Sequence, residues 1–276
     1  MAFGNAKLIL KNVSGLSALK LLLLKAKYSR PALRPLCVFL LAPFQRNGEI
    51  PIDYKKGNRS FRVFVRDVDQ ESDMHSMLEV AVRNVYPLDP AYAADLVIDG
   101  GANVGLFSLQ AAAVYPDAKI LVCEPLPRNT AQVEKHLTQN HVDNAELLPI
   151  CIGGARRTIP FYCREANASS FDAAKPYDSV LNIDVLPLEE IVNQHPANRV
   201  LIKLDIEGME VEALETYIPG EQRPVVIFGE LHDHKERRSA LERLLAENGW
   251  SIQLGDLSGD DVIFEARSPA AVALSA

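Results

Sequence analysis

Four short stretches of the chain carry the residue types that chemistry needs. The first, Val97 to Gly105, reads VIDGGANVG. Its small residues Gly100, Gly101, Ala102 and Gly105 follow an apolar run and open a helical period. Such a turn lets a backbone approach a ligand closely, and the helix start offers unpaired N–H groups. As a G-x-G-x-x-G signature the stretch is degenerate, because position 102 is Ala. A carboxylate at Asp99 repels a pyrophosphate but can hydrogen-bond the ammonium of a zwitterionic aminoacyl group, with Asn103 beside its carboxylate end. The second stretch is Glu124-Pro125, 25 residues after Asp99 and at the end of the next apolar run. An acid in that position accepts hydrogen bonds from two ribose hydroxyls in nucleotide-binding α/β folds. Together they describe a ligand with a nucleoside at one end and an amino-acid group at the other.

The third stretch, IKLDIEGMEVEAL, alternates Lys203, Asp205 and Glu207 at the end of another apolar run, before Gly208. Charges there call for a partner or a purpose. They form either an internal ion pair of Lys203 with an acid, or a reaction centre in which Asp205 aligns a nucleophile or a metal with Glu207 nearby. In the fourth, Gly229 to His234, Glu230 and His232 alternate onto the side that Asp205 faces. A histidine of near-neutral pKa takes a proton from an attacking hydroxyl; an acid-plus-histidine set equally suits a divalent cation, so metal dependence stays open. The adenine is expected between the loops around Asp143-Asn144 and Cys151-Ile152, with Ser169 or Ser170 lining the site.

These residues need elements to hold them. From Asp95 onward apolar β-type runs alternate with helical periods: strands at 96–99, 119–124, 145–152, 200–205 and 225–230, then 251–254 and 261–266 with only a short turn between the last two. Repeated β-α units imply a doubly wound, mostly parallel α/β sheet, and the closing pair an antiparallel hairpin. A hairpin is also expected around Thr158–Arg164. Upstream, a strand at 62–66 and a helix over 73–85, capped by Ser72 or Asp73, form a preface spanning 49–90, ahead of a main domain at 91–276.

Residues 1–48 differ from the rest: eight Lys or Arg and no acid, against 21 basic and 36 acidic residues elsewhere. An acidic body disfavours a general nucleic-acid binder. The leucine- and lysine-rich head is either an amphipathic helix resting on an anionic membrane or a cap on the main domain. Its apolar runs are too short to span a membrane and lack the form of a signal peptide. Cys37, Cys123, Cys151 and Cys163 form no paired framework and read as reduced thiols. These features give a cytoplasmic expectation, with the head a candidate for the inner membrane face.

In these motifs the chain resembles the FkbM-type methyltransferase family. The likeness rests on Asp99 to Gly105, on Glu124-Pro125, on Lys203 to Glu210, on Glu230 to His232, and upstream on Ser72-Asp73 and Tyr86. It spans residues 72–265 and departs at Gly100, where an aliphatic residue is frequent, and at Leu188-Glu189-Glu190 in place of L-D-D. It implies a class I methyltransferase (Rossmann-like) fold, S-adenosyl-L-methionine as donor, and O-methylation of a hydroxyl on a sugar, polysaccharide or natural product. The donor is then held by Asp99, Gly101, Ala102, Asn103, Gly105, Glu124, Asn144, Cys151 and Ser170, and the reaction is run by Asp205, Glu207, Glu230 and His232. Two rivals stand beside it: a nicotinamide-dependent oxidoreductase, disfavoured by Asp99 and Ala102, and a methyltransferase-like module that binds without chemistry.

Overall fold

The computed structural model describes residues 9, 13, 15–29, 31–66, 69–163, 177, 179–232, 234–258 and 261–274. Three strands that read as uninterrupted apolar runs, β3 (Leu96–Gly100), β9 (Val200–Leu204) and β10 (Val225–Leu231), lie at its centre. Nearly every residue in them is buried, as strands covered on both faces must be. With β4 (Lys119–Cys123), β5 (Ala145–Leu148), β11 (Ser251–Ser258) and β12 (Asp261–Arg267) they form a seven-stranded sheet of order β11-β12-β10-β9-β3-β4-β5. All neighbours are parallel except β12, which runs antiparallel to both β10 and β11. This is the expected doubly wound sheet with its terminal hairpin. The chain builds outward from β3 to β5 and then returns to lay β9 against β3, so the strand order reverses between β3 and β9. In that register Asp99 pairs with Lys203 and Gly100 with Leu204. Two motifs about a hundred residues apart in sequence thus become neighbours at a switch point.

Helices cover both faces. On one, α4 (Leu106–Val114) and α5 (Pro127–Gln139) share a core with the N-terminal segments. On the other, α6 (Leu188–Asn193), α7 (Glu210–Tyr217) and α8 (His234–Glu247) bury Leu188, Leu214 and Leu241 against Ile98, Ile202 and Ile227. A short helix, α9 (Pro269–Leu274), follows β12.

Several expectations need correction. The apolar stretch 145–152 is two strands: β5 ends at Leu148, and β6 (Cys151–Gly153) leaves the main sheet for a small three-stranded one. Pro149 lies at the break, and a proline cannot continue a ladder. The expected hairpin at 158–164 is instead β7 (Arg157–Cys163) pairing with the distant β8 (Ser179–Pro187). Upstream, the strand at 62–66 is the end of β2 (Arg59–Arg66), which pairs throughout with β1 (Glu49–Lys56). Pro51 obscured β1, yet proline is tolerated in a two-stranded sheet where every strand is an edge. The helix read over 73–85 is α3 (Gln70–Ser76), continued as a π-helical turn over Met77–Arg83. Asp69 stands at its N-cap position; Asp73, one of the two expected caps, takes the Arg66 guanidinium instead.

In the basic head, α1 (Gly15–Ser29) buries Ala18, Leu21 and Leu24, and Lys20 donates to the Pro51 carbonyl at 2.8 Å. That is the packing expected of a cap. The next helix, α2 (Arg34–Leu41), is different: Leu36, Val38, Leu40 and Phe39 are exposed, the last by 75%. Among the described residues no helix is long and apolar enough to cross a membrane. The four cysteines are buried and free.

Candidate active site

At the carboxyl edge of the sheet the turns after β3, β4 and β9 converge on one cleft, with about 780 Å³ of open space. Gly101 and Asn103, then Glu124, then Asp205 and Glu207 line it, in that strand order. The turn after β3 is tight. Gly101 has φ +69, and a Cβ there would meet the Asp205 carbonyl oxygen at 1.8 Å, so only glycine fits. Its N–H and that of Ala102 donate to the Cys123 carbonyl at 3.0 Å, locking the turn to β4. Ala102 is buried, and Gly105 opens α4 with φ +77 against Val133 of α5. Neither is among the residues lining the cleft.

Glu124 closes one side. Its carboxylate accepts from the Asn103 N–H at 2.8 Å, the Leu126 N–H at 3.0 Å and the Asn129 amide at 3.2 Å. Burial pushes its pKa up to about 7 against these hydrogen bonds. A carboxylate has about four lone-pair sites, so further donors can be accommodated. Beneath it runs a network that the sequence does not show as one, although Asp73 stands out there as a helix cap. Arg66, at the end of β2, holds Asp73 at 2.6 Å, Asp69 at 3.2 Å, Asn129 at 3.0 Å and the Arg128 carbonyl at 2.9 Å. This ties the preface to the cleft wall, which Asp69, Ser72, Arg128 and Asn129 line. The signal available was an arginine ending an alternating strand, close to Asp69 and Asp73. Ser76 accepts from the Asn103 amide at 2.8 Å, with Ser72 at 3.4 Å, which leaves Asn103 Oδ1 enclosed without a donor.

Asp99 sits one layer behind the cleft, fully buried, accepting from Ser108 Oγ at 2.6 Å. Lys203 Nζ is 3.6 Å from Asp99 and 3.4 Å from Asp205, and it donates to the carbonyls of Gly101 at 2.6 Å and Gly100 at 3.1 Å. Burial works against the Lys203 charge, but Asp205 and Asp99 outweigh it and raise its pKa. The internal ion pair is therefore realised, and Asp205 belongs both to it and to the cleft.

Beyond Asp205, His232 lies with Nε2 3.8 Å from the Asp205 carboxylate and Nδ1 2.9 Å from that of the fully buried Glu210. Burial opposes its charged form, but the Glu210 hydrogen bond and the nearby carboxylates push the pKa up to about 10. This corrects the expected near-neutral base: the imidazole holds its proton at pH 7. Burial likewise pushes Glu230 up to about 8, aided by Asp205. Glu207 is crowded by protein, the first cause of a push up to about 7, yet open to the cleft water, which screens that push.

A model of the methyltransferase FkbM domain matches residues 99–251, which hold the glycine turn, Glu124, Asp205 and His232. The chain belongs to the FkbM methyltransferase family. Methyltransferase 1 of Beauveria bassiana is 23% identical over 198 residues, covering 63% of this chain and 79% of that protein. Methyltransferase sdnD of Sordaria araneosa is 23% identical over 209 residues, covering 63% of this chain and 80% of that one. Among solved structures, the precorrin-6y C5,15-methyltransferase of Geobacter metallireducens aligns with TM-score 0.43 and 15% identity over 67% of this chain and 85% of its own. M. jannaschii TYW2 in complex with AdoMet aligns with TM-score 0.44 and 12% identity over 81% and 87%. The nicotinamide-dependent alternative is set aside by the family match.

Within the methyltransferase, then, one cleft gathers Gly101, Asn103, Glu124, Cys151, Asp205 and Glu207. Asn144 is elsewhere. It precedes β5, at the amino end of the strands, and its amide donates to the Ala118 carbonyl at 2.8 Å. The expected adenine contact at Asn144 is a misplacement by the length of a strand: an asparagine before a parallel strand faces the edge opposite the cleft. Ser169 and Ser170 lie outside the described residues. Burial pushes the Cys151 thiol up, so it lines the cleft as a neutral wall.

Proposed function

We propose that this methyltransferase uses S-adenosyl-L-methionine to methylate a hydroxyl on a sugar, polysaccharide or natural-product acceptor. The observation that carries the reading is the single cleft with Glu124 at one end and Asp205 and Glu207 at the other. The residues fit the donor. Glu124 offers lone pairs to a ribose, and the enclosed, donor-less Asn103 Oδ1 suits the ammonium of an aminoacyl group rather than the carboxylate end expected for it, since Asp99 is fully buried behind the turn. Asp99, behind the turn, adds negative charge to the same end. Leu126, Ile150, Cys151 and Phe161 make the apolar wall that a purine needs. When bound, the donor supplies a methyl group already activated on a sulfonium.

The chain's own task is positioning. Gly101, Asn103 and Glu124, the last two joined by a 2.8 Å hydrogen bond, fix the donor's side of the cleft. Asp205, anchored by Lys203, orients the acceptor hydroxyl and takes its proton. Transfer of labelled methyl from the donor to a panel of hydroxylated acceptors tests this; donor binding with no transfer to any hydroxyl would favour a module that binds without chemistry. The exposed apolar helix α2, within a head of eight basic and no acidic residues, supports peripheral contact with an anionic membrane.

A further inference from the structure

β10 and β12 run antiparallel with Leu231 opposite Val262, which brings the carboxyl end of β10 beside the start of β12. Glu230 and His232 alternate onto one side there, and Asp261 joins them from β12. One ligand atom from each of the three lies within 4.8 Å of the other two, and all three side chains are half-buried. A third oxygen, from Asp205, is 3.8 Å from His232 Nε2.

The imidazole is held in the orientation a ligand needs. Glu210 is completely enclosed, and one of its oxygens is fixed by the N–H groups of Ile206 at 3.1 Å and Gly208 at 3.0 Å. That same oxygen accepts from His232 Nδ1 at 2.9 Å, which turns Nε2 toward Asp205 and its neighbours. A carboxylate behind the non-ligating nitrogen is the usual outer support of a metal-bound histidine. The other Glu210 oxygen is buried without a donor. One nitrogen and several carboxylate oxygens suit a hard or borderline divalent cation, and the absence of thiolates disfavours a soft one.

We infer that Glu230, His232 and Asp261 form a binding site for a divalent cation such as Mn²⁺, adjoining Asp205 at the acceptor end of the cleft. The inference rests on the proposed transfer to a hydroxyl. A cation there draws the acceptor oxygen in and lowers the pKa of its proton. The O–H electron pair stays on oxygen and the proton passes to Asp205. Oxygen then bonds the methyl carbon as the carbon–sulfur bond breaks, its pair remaining on sulfur. His232 releases its Nε2 proton, and Glu230 its carboxyl proton, to solvent when the cation binds.

The test is Mn²⁺ titration of the full chain without donor, read by loss of the free-ion electron paramagnetic resonance signal. Donor affinity is measured in parallel by calorimetry. One equivalent bound by the wild type, weakened at least tenfold in both Glu230→Gln and Asp261→Asn with donor affinity unchanged, is the expected result. Donor affinity serves as the check that each variant is folded, and Asp261→Asn, at a strand start, provides a second reading if Glu230→Gln fails it. No binding by the wild type at millimolar Mn²⁺, or equal binding by folded variants, overturns the site. A chain that binds Mn²⁺ through these residues but methylates no hydroxyl keeps the site and loses the O-methylation reading.

Discussion

Lys203 donates to the carbonyl oxygen of Gly101 at 2.6 Å, so the strand bearing the acceptor-side acids also clamps the donor-side turn. The two halves of the cleft are therefore coupled through one buried ammonium. Replacing it, as in Lys203→Met, leaves Asp99 buried without a cation. Loss of one partner from a buried pair costs about 3–5 kcal/mol. Urea denaturation should show a loss of that size, and a change below about 1 kcal/mol would mean that Asp99 is neutralised some other way.

Glu124 leads to a pH prediction for donor binding. Burial holds its folded pKa up to about 7, so the unliganded protein carries it protonated below that value. A protonated acid is a poorer acceptor for ribose hydroxyls, so affinity should fall as pH drops below about 7, by at most about tenfold per pH unit. Glu124→Gln should bind about 10- to 100-fold more weakly at pH 8, as expected for losing hydrogen bonds to a charged group. It should also show a flat profile through pH 7. Calorimetric titration between pH 6 and 8 reads both effects.

His136 sets part of the acid stability. It is buried between the Val104 carbonyl at 2.7 Å and the Phe64 N–H at 2.9 Å, so it is neutral, accepting at Nε2 and donating at Nδ1. Burial lowers its pKa from 6.5 to about 4. Between those values the unfolded chain binds a proton that the folded one refuses. This contribution is complete above pH 6.5 and is lost as pH falls toward 4, amounting to about 3 kcal/mol. His136→Gln should be less stable at neutral pH and lose less on acidification, which denaturation midpoints at pH 7 and 4.5 would reveal.

Gly101 and Gly48 share a left-handed backbone but not an environment. A Cβ on Gly101 would meet the Asp205 carbonyl at 1.8 Å, whereas one on Gly48 meets nothing within 4 Å. Gly101→Ala should therefore cost about 2–4 kcal/mol, from strain and overpacking together, and abolish donor binding. Gly48→Ala should cost about 1 kcal/mol and leave binding intact. Equal losses in the two variants would show that the Asp205 carbonyl moves aside.

The α2 face predicts vesicle binding. Wild type should co-sediment with vesicles containing anionic lipid, less so with neutral ones and less at high salt. A Leu36→Ser, Phe39→Ser variant should remain in the supernatant with donor affinity unchanged. Sedimentation of both alike would remove the membrane from the account.

The sequence by itself determined the sheet and the identity of the motifs. Uninterrupted apolar runs between helical periods can bury both faces only as parallel strands, and two strands with a short turn between them can only be a hairpin. The tight glycine turn, the acid ending β4 and the K-x-D-x-E block were all legible because each is local: a few adjacent residues meet one geometric demand. What lay beyond it was pairing across distance. That Lys203 sits in register with Asp99 and clamps Gly101 depends on the chain's return from β5 to β9. That His232 keeps its proton depends on the enclosed Glu210, which the sequence presents only as one more acid on a helix. Asn144 is the exception: it precedes the run that starts at 145, so chain order alone puts it at the edge opposite the cleft, which its assignment to the adenine overlooks. Arg66 and Asp73 look in the sequence like a strand end and a helix cap, and only the packed preface makes them a buried pair. Tertiary structure decided these points, since burial and the field of distant charges set the state of an ionisable group, and neither exists until the strands are laid side by side.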